Sequence, residues 1–265
     1  MKIASITSSN VSGLKVFKPV QYLYIVGFSK EELSKAKLRA RLVNSETGRV
    51  DEIIPLLGLD VLGEITSMNE GFFVRDKAND GAGYGERFCV NVMLHPTSAV
   101  YLSNDKFLEI DIEGIEYVPH MGETAIYGIE SPVVDKDFIC RYNKFYMASG
   151  ELQKTFSVGL NENLVLPRYN FEEVCMQYKN GTSCTYTLAE LEAMMMLKND
   201  VVSVPVCGLT RVQIDNESGT FDNLTINFGY ASLFGLDVSE VDTFTIRRTY
   251  GDSAFELVMM DTLKD

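Results

Sequence analysis

The stretch Leu108-Glu109-Ile110-Asp111-Ile112-Glu113 alternates apolar and acidic residues without a break. Side chains two apart share one side of an extended chain, so this is a strand with one dry face and one charged face. Glu109, Asp111 and Glu113 then form a row on the wet face. The same period recurs outward in both directions. Leu38, Ala40 and Leu42 alternate with Arg39 and Arg41, and Leu224, Ile226 and Phe228 with Thr225 and Asn227. Phe244 and Ile246 alternate with Thr243 and Thr245. Shorter candidates are 72–75, 88–94, 124–129, 138–142, 155–160, 201–206 and 254–259. Turn chemistry separates them, as at Ser103-Asn104-Asp105, Gly81-Ala82-Gly83, Asn180-Gly181 and Gly251-Asp252. Roughly sixteen to nineteen short strands at near-regular spacing predict an all-β chain of sandwiches or barrels.

Two stretches read as helix. Residues 29–37 open with Ser29 and Glu32, and residues 187–198 with Thr187 and Glu190. Each pair is a capping box, in which the hydroxyl accepts a backbone N–H and the carboxylate reaches back to the cap. Leu188, Leu191 and Met195 fall on one helical face, and the run Met194-Met195-Met196 fills gaps against a sheet.

The chain has 265 residues, 46% hydrophobic and 23% charged, which are ordinary globular values. At this length roughly 70–75% of the unfolded surface is buried on folding, so neither disulfides nor metal are required. The net charge of −13 argues against a phosphate-binding surface, because nucleic-acid affinity comes largely from Lys and Arg. The charge is uneven. Residues 1–30 carry Lys2, Lys15, Lys18 and Lys30 and no acid, while the other 235 hold the remaining 20 basic and all 37 acidic residues. This segment reads as a basic N-terminal arm facing lipid or a negative neighbour. A boundary near Gly128-Ile129-Glu130-Ser131-Pro132 gives domains 1–130 and 131–265. The first holds 13 basic and 18 acidic residues and the second 11 and 19, so the halves are alike.

Cys89, Cys140, Cys175, Cys184 and Cys207 contain no CxxC pair and sit among apolar neighbours. They read as buried free thiols of a protein made in a reducing cytosol. No secretory h-region is read at the start, and the apolar run 20–28 is a buried strand, too short to span a bilayer. The four Asn-x-Ser/Thr triplets are read as chance.

No motif dictates a reaction. His95 and His120 lie at strand-to-loop transitions without a nucleophile elbow, and read as turn histidines. Histidines and cysteines show no zinc spacing. Gly81-Ala82-Gly83-Tyr84-Gly85 precedes a strand rather than a helix, so it is no phosphate loop. Asp76, Asn79 and Asp80 offer hard oxygens, but without EF-hand spacing. The row Glu109, Asp111, Glu113 lies on one strand, whereas glycosidase carboxylates face each other across a cleft.

An acidic, nearly all-β chain of two similar halves without catalytic groups resembles the double jelly-roll major coat proteins of tailless, lipid-containing icosahedral bacteriophages, of the corticovirus and Flavobacterium lipid-phage type. The strand-rich closings of the halves carry the likeness. They are Ala99-Val100-Tyr101-Leu102-Ser103-Asn104-Asp105-Lys106-Phe107-Leu108-Glu109-Ile110-Asp111-Ile112-Glu113-Gly114 and Val241-Asp242-Thr243-Phe244-Thr245-Ile246-Arg247-Arg248-Thr249-Tyr250-Gly251-Asp252. The resemblance implies two tandem jelly rolls with one or two short helices in loops. It implies a homotrimer, a pseudo-hexagonal capsomer and an icosahedral virion shell over an internal membrane, made in the host bacterial cytoplasm. Partners would be copies of itself, neighbouring capsomers, other virion proteins and the membrane surface, with Lys2, Lys15 and Lys18 facing lipid. No cofactor, enzymatic activity or direct nucleic-acid contact is implied. The alternatives are a spike, penton or receptor-binding β-sandwich, and a carbohydrate-binding module or jelly-roll enzyme using His95 and His120.

Overall fold

The computed structural model describes residues 1–30, 33–69, 73–79, 84–167, 170–191, 209–215, 221–227 and 233–264. The chain opens with β1 (Lys2–Ser5), β2 (Asn10–Val16), β3 (Tyr22–Ser29), β4 (Lys37–Asn44) and β5 (Arg49–Gly58). Helix α1 (Leu59–Asn69) follows, then β6 (Phe73–Asn79), β7 (Tyr84–Met93), β8 (Ala99–Val100) and β9 (Lys106–Glu113). After a 3-10 turn (Pro119–Met121) come β10 (Ala125–Ile129), β11 (Val134–Asp135) and β12 (Phe138–Met147). Next are β13 (Gln153–Ser157), β14 (Asn163–Pro167), β15 (Glu173–Tyr178) and β16 (Ser183–Thr187). The last are β17 (Leu209–Asp215), β18 (Phe221–Asn227), β19 (Leu233–Asp237), β20 (Val241–Arg247) and β21 (Phe255–Lys264).

Two compact units result. One comprises Met1–Tyr142, Arg211–Asn227 and Thr262–Asp265, the other Asn143–Thr210 and Phe228–Asp261. The division between Tyr142 and Asn143 falls inside β12 rather than at 130/131, because one continuous strand carries the chain across. Arg211–Asn227, from the second half of the sequence, belongs to the first unit, where β18 pairs with β6 through Ile226–Val74 and Asn227–Phe73.

The second unit is built on two four-stranded sheets, β12-β21-β14-β19 and β13-β20-β15-β16. Numbered by appearance without β17 and β18, the orders are 1-8-3-6 and 2-7-4-5. The first unit has β1-β10-β3-β7, extended by β6, β18 and β17, and β2-β9-β4-β5. Without β6, β8 and β11 the same orders appear, 1-8-3-6 and 2-7-4-5. Two sheets that exchange strands in this manner form a jelly roll. The chain is therefore two jelly rolls in tandem.

Alternation puts the core between the sheets. In the second unit Phe156, Val174, Met176, Phe244 and Ile246 from one sheet pack with Leu164, Leu166, Leu236, Leu257 and Met259 from the other. In the first unit Leu38, Ala40 and Leu42 from β4 and Leu108, Ile110 and Ile112 from β9 are buried, as are Leu23 and Ile25 from β3 and Val90 and Val92 from β7. Each apolar side chain removed from water contributes roughly 1.5–3 kcal/mol, so two such interiors outweigh any single surface contact.

The helix expectations divide. Thr187 and Glu190 do form a capping box: Glu190 Oε2 accepts the Thr187 amide and hydroxyl, each at 2.8 Å, and the Glu190 amide donates to Thr187 Oγ1 at 3.4 Å. Residues 188–191 are helical, and 192–198, with the methionine run, lie outside the described residues. Residues 29–37 need correction. Ser29 closes β3, its hydroxyl accepting the Glu116 amide instead of capping a helix, and 33–35 form a turn. Glu31 and Glu32 lie outside the described residues. Helix α1 was not expected from sequence, since Gly63 and the β-branched Val61, Ile65 and Thr66 are weak helix formers. Burial of Leu59, Leu62, Ile65 and Thr66 at helical spacing overrides that preference. The expected strand 201–206 lies outside the described residues, and 155–160 ends early, at Ser157 in β13.

Candidate functional site

The alternation at 108–113 predicts one wet face, and that face is an ion lattice. Across β2, β9, β4 and β5 the register aligns Lys15, Glu109, Arg41 and Glu52, alternating in sign. Arg41 Nη2 reaches Glu109 Oε1 at 2.5 Å and Asp111 Oδ2 at 3.1 Å. Arg39 holds Asp111 Oδ2 through Nη2 at 2.7 Å and Nε at 3.0 Å, and the Gly13 amide donates to Asp111 Oδ1 at 2.8 Å. Partial burial alone would raise the Asp111 carboxyl, but the Gly13 amide and Arg39 outweigh it and hold it below its ordinary value. Glu109 and Asp111 are thus ion-paired by the arginines of β4, and β2 adds the Gly13 amide. The sequence gives the row but not its partners, which are set by register.

Residues 1–30 are not an arm. They supply β1, β2 and β3 of the first barrel. Lys2 on β1 is ion-paired with Glu123, which also accepts the Ser5 hydroxyl at 2.6 Å. First Lys2 and then Ser5 hold the Glu123 carboxyl below its ordinary value. Lys15, on β2 of the other sheet, sits 4.9 Å from the Phe107 ring centroid. Phe107 in turn lies 5.2 Å from the exposed Phe17, and Lys18 follows in the β2–β3 connection. The fold therefore gathers Lys15, Phe17 and Lys18 and places Lys2 on a different sheet.

His95 is 5% exposed, and both of its ring nitrogens are occupied. Nδ1 accepts the amides of Thr97 at 3.2 Å and Ser98 at 2.9 Å, and Nε2 lies 3.2 Å from Asp135 Oδ2. Two N–H donors at Nδ1 place the ring proton on Nε2, directed at Asp135. A general base needs a free ring nitrogen beside its nucleophile, and this imidazole offers none. The pair instead joins the 95–98 turn to β11, which pairs in parallel with β8 through Val134–Ala99 and Asp135–Val100. His120 lies exposed in the 3-10 turn.

Cysteine burial is mixed, which corrects the expectation of buried thiols. Cys140 is buried, Cys89 and Cys175 are half-buried, and Cys184 is exposed on β16, the outermost strand of its sheet. Cys207 lies outside the described residues, as do 80–83 of the glycine-rich stretch. Asp76 and Asn79 belong to β6, opposite Arg87 and Tyr84 of β7. Among the described residues no group of three or more His, Cys, Asp or Glu could hold a metal ion. Among them, too, no helix is long and apolar enough to cross a membrane.

The second unit differs on the corresponding sheet. Its register aligns Thr155, Thr245, Cys175 and Thr185 in one row and Ser157, Thr243, Gln177 and Ser183 in another. The Thr155 and Thr245 hydroxyls hydrogen-bond at 2.8 Å. These two rows are uncharged, and the next row of the same face, Gln153, Arg247, Glu173 and Thr187, holds one ion pair, Arg247 to Glu173 at 3.2 Å.

With both strand orders established, comparison with solved structures is informative. The whole chain is similar to the major capsid protein P2 from Bacteriophage PM2, at 11% identity and a TM-score of 0.50, covering 100% of this chain and 97% of that one. The shared fold is the double jelly roll. The resemblance expected from the strand-rich closings is therefore met in architecture. The PBSX exported protein XepA (9% identity, TM-score 0.20, 99% of this chain and 84% of that one) bears no weight on the double jelly-roll assignment. Nor does a putative mannosephosphate isomerase from Archaeoglobus fulgidus (8%, 0.23, 97% and 69%). No protein-family model matches the sequence, and no curated protein is similar to it in sequence.

Proposed function

We propose that this chain is a structural virion protein, the major subunit of an icosahedral shell, with no catalytic activity. The observation that carries the reading is the repeated strand order in two barrels spanning the chain, together with the whole-chain similarity in fold to the PM2 major capsid protein P2. Three chains form a trimer in which six barrels approximate a hexagon, and the trimers tile a shell over an internal membrane. In this reading Lys15 and Lys18, flanking the exposed Phe17, face the lipid, while Lys2 is ion-paired with Glu123. An acidic body at −13 suits a shell separated from its genome by lipid, so nucleic acid is not a direct partner. The protein is made in the host bacterial cytoplasm and acts in the virion, touching neighbouring capsomers and other virion proteins.

Native mass spectrometry and negative-stain microscopy of the full chain test this. A trimer of the 29.7 kDa chain, seen as flat hexagonal particles, is expected. A persistent monomer, or elongated knobs typical of a spike, would overturn it.

A further inference from the structure

β16 is the outermost strand of the sheet β13-β20-β15-β16, and it reads Ser183-Cys184-Thr185-Tyr186-Thr187. It has no charge, no proline and no bulge, since its register with β15 runs unbroken from Glu173–Thr187 to Gln177–Ser183. Ser183, Cys184, Thr185 and Thr187 are exposed. Proteins guard such edges with charged side chains, proline or bulges, because an open row of N–H and C=O groups templates a further strand. β5, at the same position in the first unit, is guarded in that way by Arg49, Asp51, Glu52 and Pro55. In the second unit Lys154 marks the edge strand β13, Lys144 marks β12 and Asp237 marks β19. Among the described edge strands of that unit, β16 alone is uncharged.

Register fixes which backbone groups lie on that edge. The Tyr178 amide donates to the Thr182 carbonyl at 2.8 Å, and hydrogen-bonded positions recur at every second residue of an antiparallel pair. Thr182, Cys184 and Tyr186 therefore turn their backbone groups to β15. Ser183 and Thr185 turn theirs outward, as does Thr187, whose amide donates to Glu190 Oε2 at 2.8 Å. The open edge thus offers the N–H and C=O of Ser183 and of Thr185.

We infer that β16 pairs antiparallel with β16 of a second copy of this chain, across a twofold axis at Cys184. Ser183 of each copy then exchanges hydrogen bonds with Thr185 of the other, and two four-stranded sheets become one. The strand is self-complementary, because small hydroxyl side chains meet and no like charges are opposed. On a chain of net charge −13, an uncharged edge is where two copies approach with least repulsion. A foreign segment would find the same backbone groups but no charge to select it by. A twofold contact lies outside a threefold trimer, so under the shell reading it joins neighbouring trimers. A strand this short binds weakly alone and gains from repetition in a lattice.

Cys184 reports the register. As a non-hydrogen-bonded pair, the two Cα atoms lie about 4.5 Å apart, within the reach of a disulfide. Diamide, added to the full-length protein and to its assemblies, takes both thiol protons and two electrons and is reduced to its hydrazine. A dimer linked Cys184 to Cys184, identified by peptide mass spectrometry, is expected. Cys184→Ser should abolish it, and Thr185→Pro and Thr185→Lys should each lower its yield at least tenfold. Proline removes an N–H that only the outer edge uses, so the melting temperature should hold. Lysine sets like charges beside the axis, and if Thr185→Pro does not fold, Thr185→Lys decides. Absence of the Cys184 link overturns the proposal, and so does a yield indifferent to the Thr185 variants, which marks chance collision of exposed thiols. Trimers without the link refute this contact alone, and linked copies that never form trimers refute the shell reading alone.

Discussion

Arg39 on β4 and Asp111 on β9 face each other across neighbouring strands, and two guanidinium nitrogens converge on one carboxylate oxygen, at 2.7 and 3.0 Å. Asp111 is the node of the first barrel's charged face, since Arg41 and the Gly13 amide also reach it. Its folded pKa is depressed. The stability it contributes is therefore complete above its unfolded value of roughly 4 and is lost as pH falls through the lower, folded value. Asp111→Asn should destabilise the protein by about 1–2 kcal/mol at pH 7 and flatten the loss between pH 4 and 2, read from urea midpoints across that range.

Alkali should act through phenols. Tyr24 is pushed up to about 12, first by its hydrogen bond with the Cys89 thiol, and complete burial pushes Tyr142 well up. Both acids keep their protons in the folded state beyond the pH at which they would lose them when unfolded. Their contribution is complete below about pH 10 and falls as pH rises toward 12. Ultraviolet titration should show these two tyrosines ionising after the exposed ones, and Cys89→Ala should bring Tyr24 forward.

Phe244 is fully buried and stacks on Phe156 with ring centroids 5.3 Å apart. Truncation to alanine removes both the transfer energy and the packing, at about 3–5 kcal/mol. Tyr142→Phe in the first unit leaves the Met93 carbonyl without its 2.7 Å donor, at about 1–1.5 kcal/mol. Separate unfolding transitions in calorimetry would assign each loss to its own unit.

The capping box at Thr187 and Glu190 is exposed, so its removal is separable from core damage. Thr187→Ala should cost about 1 kcal/mol, with Thr187→Ser close to neutral, as measured by denaturant midpoint at constant slope. An equal loss in both variants would count against the cap.

His95→Ala should lower stability by about 1–3 kcal/mol, because the buried Ser98 amide and the part-buried Thr97 amide lose their acceptor. Assembly should persist in the folded fraction. Selective loss of a biological activity at unchanged melting temperature would instead give the imidazole a functional role.

The strand inventory was legible because it depends on neighbours in sequence. Leu108, Ile110 and Ile112 declare their face through a period of two, and β9 lies where that period places it. The box at Thr187 was legible for the same reason, being a contact between residues three apart. The segment 29–37 carried the same pattern and misled, since a Glu116 amide 87 residues away claimed the Ser29 hydroxyl. Helix α1 was hidden because Gly63 and three β-branched residues disguise an apolar stripe that only packing rewards. Of the three lysines read as membrane-facing, composition could not show that Lys2 meets Glu123, a partner 121 residues distant.

Sequence alone determined the class of fold, two strand-rich halves with a basic start and an acidic body. Alternation and charge are local properties and need no partner to be read. Tertiary structure decided the strand orders, the partners of the Glu109 and Asp111 row, and the return of β18 to pair with β6 in the first unit. It also decided that residues 1–30 are barrel strands and that the uncharged β16 ends its sheet. Each of these joins residues far apart in the chain, and their meeting is fixed by which strands share a hydrogen-bonded edge, a choice that no single strand encodes.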